Sequence, residues 1–254
     1  MGHGWEGVVL KLMRGRDFQF TVVGSERVTE CYHRVHFRDG GMLAQSGVHP
    51  TMWVRVWFDN AGKPHQRAYT LVDPDPEAGT FSLEFALHDG PASDWARAAA
   101  PGDTVDATLQ GTGFTAPVPP PRRIVAIGDP ASLPAINSLL DALPDVPATI
   151  FFETADEGEG DARDAGEGAD VAGLPLRLDP GRHELRAVPR RDGGRHLVSE
   201  VKAALPALVG DPTTAYVWIA CDTVTTRTLA SYIRKELALP KTRVNALGYW
   251  RPAA

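Results

Sequence analysis

The chain has 254 residues, 43% of them hydrophobic, with 26 Lys and Arg against 32 Asp and Glu, giving a net charge of −6. Such a length and apolar content suit one large or two modest packed domains, and the negative balance argues against a nucleic-acid-binding surface, which needs clustered Lys and Arg. No apolar run approaches the roughly 20 residues of a membrane-spanning helix, Met1 to Gly7 lacks the basic and hydrophobic regions of a secretion signal, and the expected location is the cytoplasm.

In chain order, Phe18 to Val23, Cys31 to Phe37, Met52 to Phe58 and Phe81 to His88 alternate in the manner of strands. They predict an antiparallel first half, a small closed barrel. In the last of them Phe81, Leu83, Phe85 and Leu87 share one face, and Ser82, Glu84, Ala86 and His88 the other, which is expected to point away from the core. A short helix is predicted from Gly90-Pro91 through Ala100. Pro117, Pro119, Pro120 and Pro121 then mark a domain boundary, so residues 1–120 and 121–254 are expected to form separate domains.

Beyond the prolines, apolar runs alternate with helical periodicity. Strands are predicted at Ile124 to Ile127, Ala148 to Phe152, Glu184 to Val188, Tyr216 to Ala220 and Val244 to Tyr249. Helices are predicted at Ser132 to Leu143, Leu197 to Leu205 and Thr225 to Leu237. That order implies a Rossmann-like parallel sheet with helices on its faces, an architecture that often carries a nucleotide at the carboxyl ends of its strands. Asp156 to Asp170 holds seven acids against one base, equal to the whole net charge, and four glycines with no large apolar residue. It reads as a solvated loop, with a docking site for a basic partner as the lesser alternative.

Cys31 and Cys221 fall in segments that read as strands and outside any Cys-x-x-Cys or Cys/His cluster. His33, His36, His183 and His196 are scattered. No metal site is expected, and no Gly-x-Ser-x-Gly elbow suggests a hydrolase.

Two motifs carry chemistry. Arg67-Ala68-Tyr69-Thr70 puts a guanidinium, an aromatic ring and a hydroxyl within four residues. In an extended segment Arg67 and Tyr69 share a face, so the arginine can clamp a pyrophosphate while the ring lies against an isoalloxazine and Thr70 bonds its polar edge. An edge strand with an ordinary surface arginine is the plain alternative. In His88-Asp89-Gly90-Pro91-Ala92-Ser93-Asp94-Trp95, glycine permits close backbone approach, proline suits the first helical turn, and the amides of a helix start attract phosphate oxygens, with Ser93 as a further donor. Asp94 suits the helix dipole, and Trp95 suits the core.

These motifs, with Gly128-Asp129, Leu133-Pro134-Ala135-Ile136 and Gly248-Tyr249-Trp250-Arg251, resemble the siderophore-interacting protein family, FAD-dependent ferric-siderophore reductases akin in fold to ferredoxin reductases. The resemblance runs from near residue 18 to the C-terminus and extends to the flavin domain fused to mycobacterial siderophore importers. It implies that Arg67, Ala68, Tyr69 and Thr70 hold the flavin and its diphosphate, that Gly90, Pro91, Ala92 and Ser93 cradle the phosphates, and that His88 lines the same cleft. It also implies that Thr112, in Gly111-Thr112-Gly113-Phe114, adds a contact, and that Tyr249 and Trp250 return towards the cofactor. Pro130 and Ala131 stand where the family commonly has glutamate and threonine, and no Gly-x-Gly-x-x-Gly follows a strand, so the sign of a tightly held nicotinamide is weak.

The implied reaction takes electrons from NADPH, NADH or reduced ferredoxin and passes them through FAD to a ferric siderophore, freeing Fe²⁺, with no protein ligand to iron. Arg190, Arg191, Arg195, Lys63 and His65 could guide an anionic chelate, although solvated loop charges explain them as well. Two other functions stay open: a general NAD(P)H–flavin oxidoreductase serving ferredoxin or a small acceptor, and a non-catalytic siderophore-binding protein.

Overall fold

The computed structural model describes residues 15–155, 171 and 173–252. The acidic stretch Asp156 to Asp170 and the first residues, Met1 to Gly7, lie outside them. The chain divides into two compact units, Met1–Phe114 and Thr115–Ala254.

The first unit contains β1 (Arg16–Thr29), β2 (Tyr32–Arg38), α1 (Met42–Ser46), β3 (Trp53–Asn60), β4 (Lys63–Thr70), β5 (Val72–Asp75), β6 (Thr80–Ala86), α2 (Pro91–Ala98) and β7 (Thr104–Leu109). Its strands form one seven-stranded sheet in the order β4-β3-β7-β1-β2-β6-β5, and every pairing is antiparallel. The expected barrel is realised as a curled sheet whose edges, β4 and β5, do not pair with each other. Curling still brings β4 to β6, since the Tyr69 and Phe85 rings lie 4.5 Å apart. The inward residues Phe20, Val22, Val35, Phe37, Val54, Val56, Phe81, Leu83, Phe85 and Ala107 are buried and form the core. Trp95 of α2 packs against that core, parallel to Phe37 at 6.2 Å, as its sequence context suggested.

One face of β6 departs from expectation. Glu84 is buried rather than solvated, because Tyr32 Oη donates to it at 2.9 Å and Arg34 Nε at 2.9 Å. A buried carboxylate is tolerable when its charge is paired and its lone pairs are filled. Cys31 lies in the turn between β1 and β2 and is exposed, while Cys221 directly follows the strand Ala215–Ala220 and is buried, so neither belongs to a strand. The local apolar pattern carried through each strand end and hid the turn.

The second unit contains β8 (Arg123–Gly128), α3 (Leu133–Ala142), β9 (Ala148–Thr154), β10 (His183–Pro189), α4 (Arg195–Val209), β11 (Ala215–Ala220), α5 (Thr223–Tyr232), which runs on as a π-helical turn over Ile233–Leu237, and β12 (Val244–Ala246). The strands form a parallel five-stranded sheet, β10-β9-β8-β11-β12. Its central strands are buried throughout, as a sheet covered on both faces requires. The chain runs outward through β8, β9 and β10 and then crosses to β11 on the other side, which puts the topological switch point between β8 and β11. Among the described residues no helix is long and apolar enough to cross a membrane.

Candidate functional site

In the first unit the β3–β4 hairpin sets the register of the first motif. Asn60 pairs with Lys63, so the loop is Ala61-Gly62, and both residues have positive φ, 53° and 79°. This is the geometry of a type I′ turn, which glycine enters without strain and whose twist matches the flanking strands. Asp59 Oδ1 closes the turn by accepting from the Gly62 amide at 3.0 Å. The register that follows puts Tyr69 opposite Val54 and Arg67 opposite Val56, on the face that carries the core. Thr70 lies opposite Trp53, and Ala68 opposite Arg55.

The four residues differ in what they offer. Arg67 is exposed, its guanidinium donating to the Gln66 carbonyl at 2.9 Å. Tyr69 is partly buried against Phe85 and Phe58, and burial drives its phenol well above the ordinary range, with Arg67 opposing. It stays a neutral O–H donor at any physiological pH. Thr70 is 5% exposed, and its hydroxyl has no hydrogen-bond partner among the described residues. An unfilled buried hydroxyl costs on the order of 1–3 kcal/mol, so it marks a place where a polar ligand atom would be welcome. Ala68 is exposed and contributes backbone.

The second motif meets the first through an aromatic cluster. Trp95 stands 5.6 Å from Phe58 and 6.2 Å from Phe85, the same two rings that hold Tyr69. The start of α2 is thereby tied to β4. Gly90 has φ 141° and ψ 164°, a conformation open in practice to glycine alone, and no side chain caps the helix it begins. Pro91 occupies the first turn, Ala92 and Ser93 are buried, and the Ser93 hydroxyl accepts from the His88 amide at 3.1 Å while keeping its own proton to donate. An uncapped helix start with unobstructed small residues is a ready anion cradle. Asp94 is exposed and paired with Arg97 at 3.1 Å, away from any capping role. His88 is exposed, with Nδ1 2.7 Å from the Asp89 carbonyl. The Thr112 hydroxyl is engaged internally, accepting from the Trp53 amide at 3.2 Å and meeting His49 Nε2 at 3.1 Å.

These residues fit FAD, the cofactor that the resemblance implies. The neutral phenol and the glycine-led, uncapped helix start meet through one aromatic cluster, and the exposed Arg67 guanidinium and the orphaned Thr70 hydroxyl flank Tyr69 in sequence.

Tyr249 and Trp250 belong to the second unit and meet a group of residues that the sequence did not single out together. The Tyr249 amide donates to the Cys221 carbonyl at 2.8 Å, and the Thr223 amide to the Trp250 carbonyl at 2.9 Å. Trp250 Nε1 donates to Asp129 Oδ2 at 2.7 Å, and the indole lies under the Arg190 guanidinium at 4.8 Å. Arg190 in turn bonds Glu153, and meets Asp222 Oδ2 at 3.3 Å. Arg190 is thus drawn inward, unlike the solvated loop charge expected of it, whereas Arg191 and Arg195 are exposed. Burial pushes Asp129 up to about 6 against the hydrogen bonds it receives, and it raises Glu153 against the pull of Arg190. For Asp222 burial acts upward too, but the Thr225 and Val224 donors and Arg190 outweigh it and hold the carboxyl below its usual range. The available signal was an Asp directly before a helix, the ordinary N-cap residue, at Asp222-Thr223.

Comparison with known proteins decides the family. The family model described as "Siderophore-interacting protein" matches residues 121–253, and the "Siderophore-interacting FAD-binding domain" matches residues 22–110. The chain belongs to the siderophore-interacting protein family. A curated relative, the mycobactin import ATP-binding/permease protein IrtA of Mycolicibacterium thermoresistibile, is 34% identical over 98% of this chain and 26% of its own length. The chain spans about a quarter of the length of the curated relatives it matches. The siderophore-interacting protein of Acinetobacter baumannii is similar in fold at TM-score 0.75 and 20% identity, over 94% of this chain and 92% of that one. A ferredoxin NADP+ reductase of Neisseria gonorrhoeae, solved with FAD and NADP, is similar at TM-score 0.65 and 13% identity, over 92% of this chain and 99% of that one.

Proposed function

We propose that this member of the family is an FAD-dependent ferric-siderophore reductase that works in the cytoplasm and releases Fe²⁺ from the chelate. The observation that carries the reading is the buried Thr70 hydroxyl without a partner, beside a neutral Tyr69 and joined by the Phe58, Phe85 and Trp95 rings to the uncapped start of α2. Bound there, FAD supplies the exchange between a two-electron donor and a one-electron acceptor. Arg67 would hold the pyrophosphate, and the backbone of Gly90 to Ser93 would take phosphate oxygens at the helix start. The Thr70 hydroxyl would offer a donor to a polar group of the flavin, and the Tyr69 side chain an aromatic surface to it. His88 and Thr112 line the rim.

Ferric iron prefers the hard oxygen ligands of hydroxamates and catecholates far more than ferrous iron does, so one-electron reduction loosens the chelate. The substrate is therefore the ferric chelate itself, and the protein needs no ligand to iron. The mycobactin-importing relatives make ferric mycobactin the first chelate to try. Candidate donors are NADPH, NADH and reduced ferredoxin.

The test is an anaerobic visible spectrum of the purified chain supplied with FAD, then with each donor, then with ferric siderophore and a ferrous trap. Flavin bands that bleach and return as Fe²⁺ is trapped support the reading. Failure of FAD to bind refutes it, and bound flavin that no ferric chelate reoxidises transfers the case to a general flavin oxidoreductase.

A further inference from the structure

The fold implies a nicotinamide dinucleotide at the switch point between β8 and β11, and the residues there do not fit one. A dinucleotide pyrophosphate is normally held by unoccupied helix-start amides, reached across small residues. Here carboxylates fill the amides at both turns: Asp222 caps α5, and Asp129 fills the turn that leads from β8 into α3, whose N-cap is Ser132. Asp129 Oδ1 accepts from the Ala131 amide at 3.0 Å and the Ser132 amide at 3.2 Å. Asp222 Oδ1 accepts from the Val224 amide at 2.8 Å and the Thr225 amide at 2.9 Å, and its Oδ2 from the Thr225 hydroxyl at 2.7 Å.

The charge is equally unfavourable. Asp129, Glu153 and Asp222, at the ends of three neighbouring strands, are 3%, 2% and 0% exposed. Arg190 already serves two of them, Trp250 lies against its guanidinium, and Glu153 Oε1 is buried without a hydrogen-bond partner among the described residues. A pyrophosphate would have to displace these carboxylates from the amides they fill, lift Trp250 and enter beside three acids facing one arginine. Repulsion between buried like charges is weakly screened.

We infer that Asp129, Glu153, Asp222, Arg190 and Trp250 form a specificity-determining lock that bars NADH and NADPH from the switch point, so that the flavin's electrons come from a reduced iron–sulfur protein. This rests on the reductase reading above and deepens it by naming the donor class. The electron count closes without a hydride: each electron leaving a reduced iron–sulfur cluster ends on one Fe³⁺, which becomes Fe²⁺, and two such transfers match one two-electron reduction of the flavin.

The experiment has two arms on the full chain. Calorimetric titration with NADP+ and NAD+, which needs neither flavin nor turnover, is expected to show no binding tighter than about 1 mM. In the FAD-loaded chain, dithionite-reduced [2Fe–2S] ferredoxin freed of excess reductant is expected to bleach the flavin at least tenfold faster than 1 mM NADPH or NADH. Binding of either dinucleotide tighter than about 0.1 mM, or bleaching by either that matches ferredoxin, overturns the inference. Trp250→Ala combined with Glu153→Gln removes the cover and one acid; if the unaltered chain binds dinucleotide and the double variant binds it equally well, the lock itself is refuted along with the donor. Loss of FAD binding would sink the reductase reading but leave the calorimetric arm intact.

Discussion

Replacing Arg190 with Met removes the cation that faces Glu153 and Asp222 while keeping much of its apolar stem. The Glu153 and Asp222 side chains are 2% and 0% exposed, so little water can replace the guanidinium. Removing one partner of such a buried pair costs about 3–5 kcal/mol, and the cation–π contact with Trp250 is lost as well. The cost must depend on pH. Burial already raises Asp129 to about 6 and raises Glu153, and both rise further without Arg190. An acid with a raised folded-state pKa favours the folded state below its unfolded value and loses that contribution as pH rises through the folded value. The variant is therefore worst at pH 7.5 and recovers at pH 5, by about 1.4 kcal/mol for each unit over which a raised acid regains its proton. Asp222 is held low and opposes this only below its own ordinary range. Urea unfolding, followed by hydrogen exchange so that the second unit is read separately, should show a loss of about 3 kcal/mol or more at pH 7.5, shrinking by roughly half at pH 5. A loss below about 1 kcal/mol at pH 7.5, or equal losses at both values, would refute the reasoning that these acids are buried and share one cation.

Thr70→Val fills the same volume without the hydroxyl, and should weaken FAD binding about tenfold while leaving the thermal midpoint of the apoprotein unchanged or raised, because a buried unpartnered group has been removed; fluorescence titration with FAD and a melting curve check both. Gly90→Ala forces a Cβ into φ 141° and should destabilise the first unit by about 1–3 kcal/mol and lower FAD affinity with it, measured by urea unfolding and the same titration. Glu84→Leu leaves the Tyr32 hydroxyl and Arg34 guanidinium without their shared acceptor; a loss of about 2–4 kcal/mol on urea unfolding is expected, and a neutral result would mean that Glu84 is solvated after all. A thiol reagent should modify the exposed Cys31 in the native protein, with Cys221 reacting only on unfolding, since burial raises its thiol well above the ordinary range.

What the sequence made legible follows from how far each interaction reaches along the chain. Phe81, Leu83 and Phe85 declare their face by alternation, and the Gly90-Pro91 helix start is a matter of adjacent residues, so both were readable. The Glu84 network was not, because its donors stand on β2, about fifty positions away, and a lone glutamate in a strand gives no sign of them. β7 was missed even though Val105, Ala107 and Leu109 turn inward, since a six-residue segment between Pro101-Gly102 and Gly111 reads equally well as loop. The acid group in the second unit is less legible still. Parallel strands align their carboxyl ends, and this alone gathers Asp129, Glu153, Arg190 and Asp222 from positions far apart in the chain.

The two units use the same element to opposite ends. At α2 the cap position is Gly90, which offers no oxygen, so the first amides of that helix remain available to an anion. At α5 the cap position is Asp222, whose carboxylate fills two amides and one hydroxyl. Asp129, three residues ahead of the Ser132 cap position of α3, fills the Ala131 and Ser132 amides of the turn. Glycine at a helix start costs only a few tenths of a kcal/mol relative to a good cap, so keeping Gly90 uncapped is inexpensive when a phosphate completes the helix. Three carboxylates around one arginine are not inexpensive, since burial works against all three. A helix start that already carries its own anion has no vacancy for a second. The residue at the cap position thus separates the two helix starts: Gly90 leaves the first amides of α2 open, and Asp222 fills those of α5.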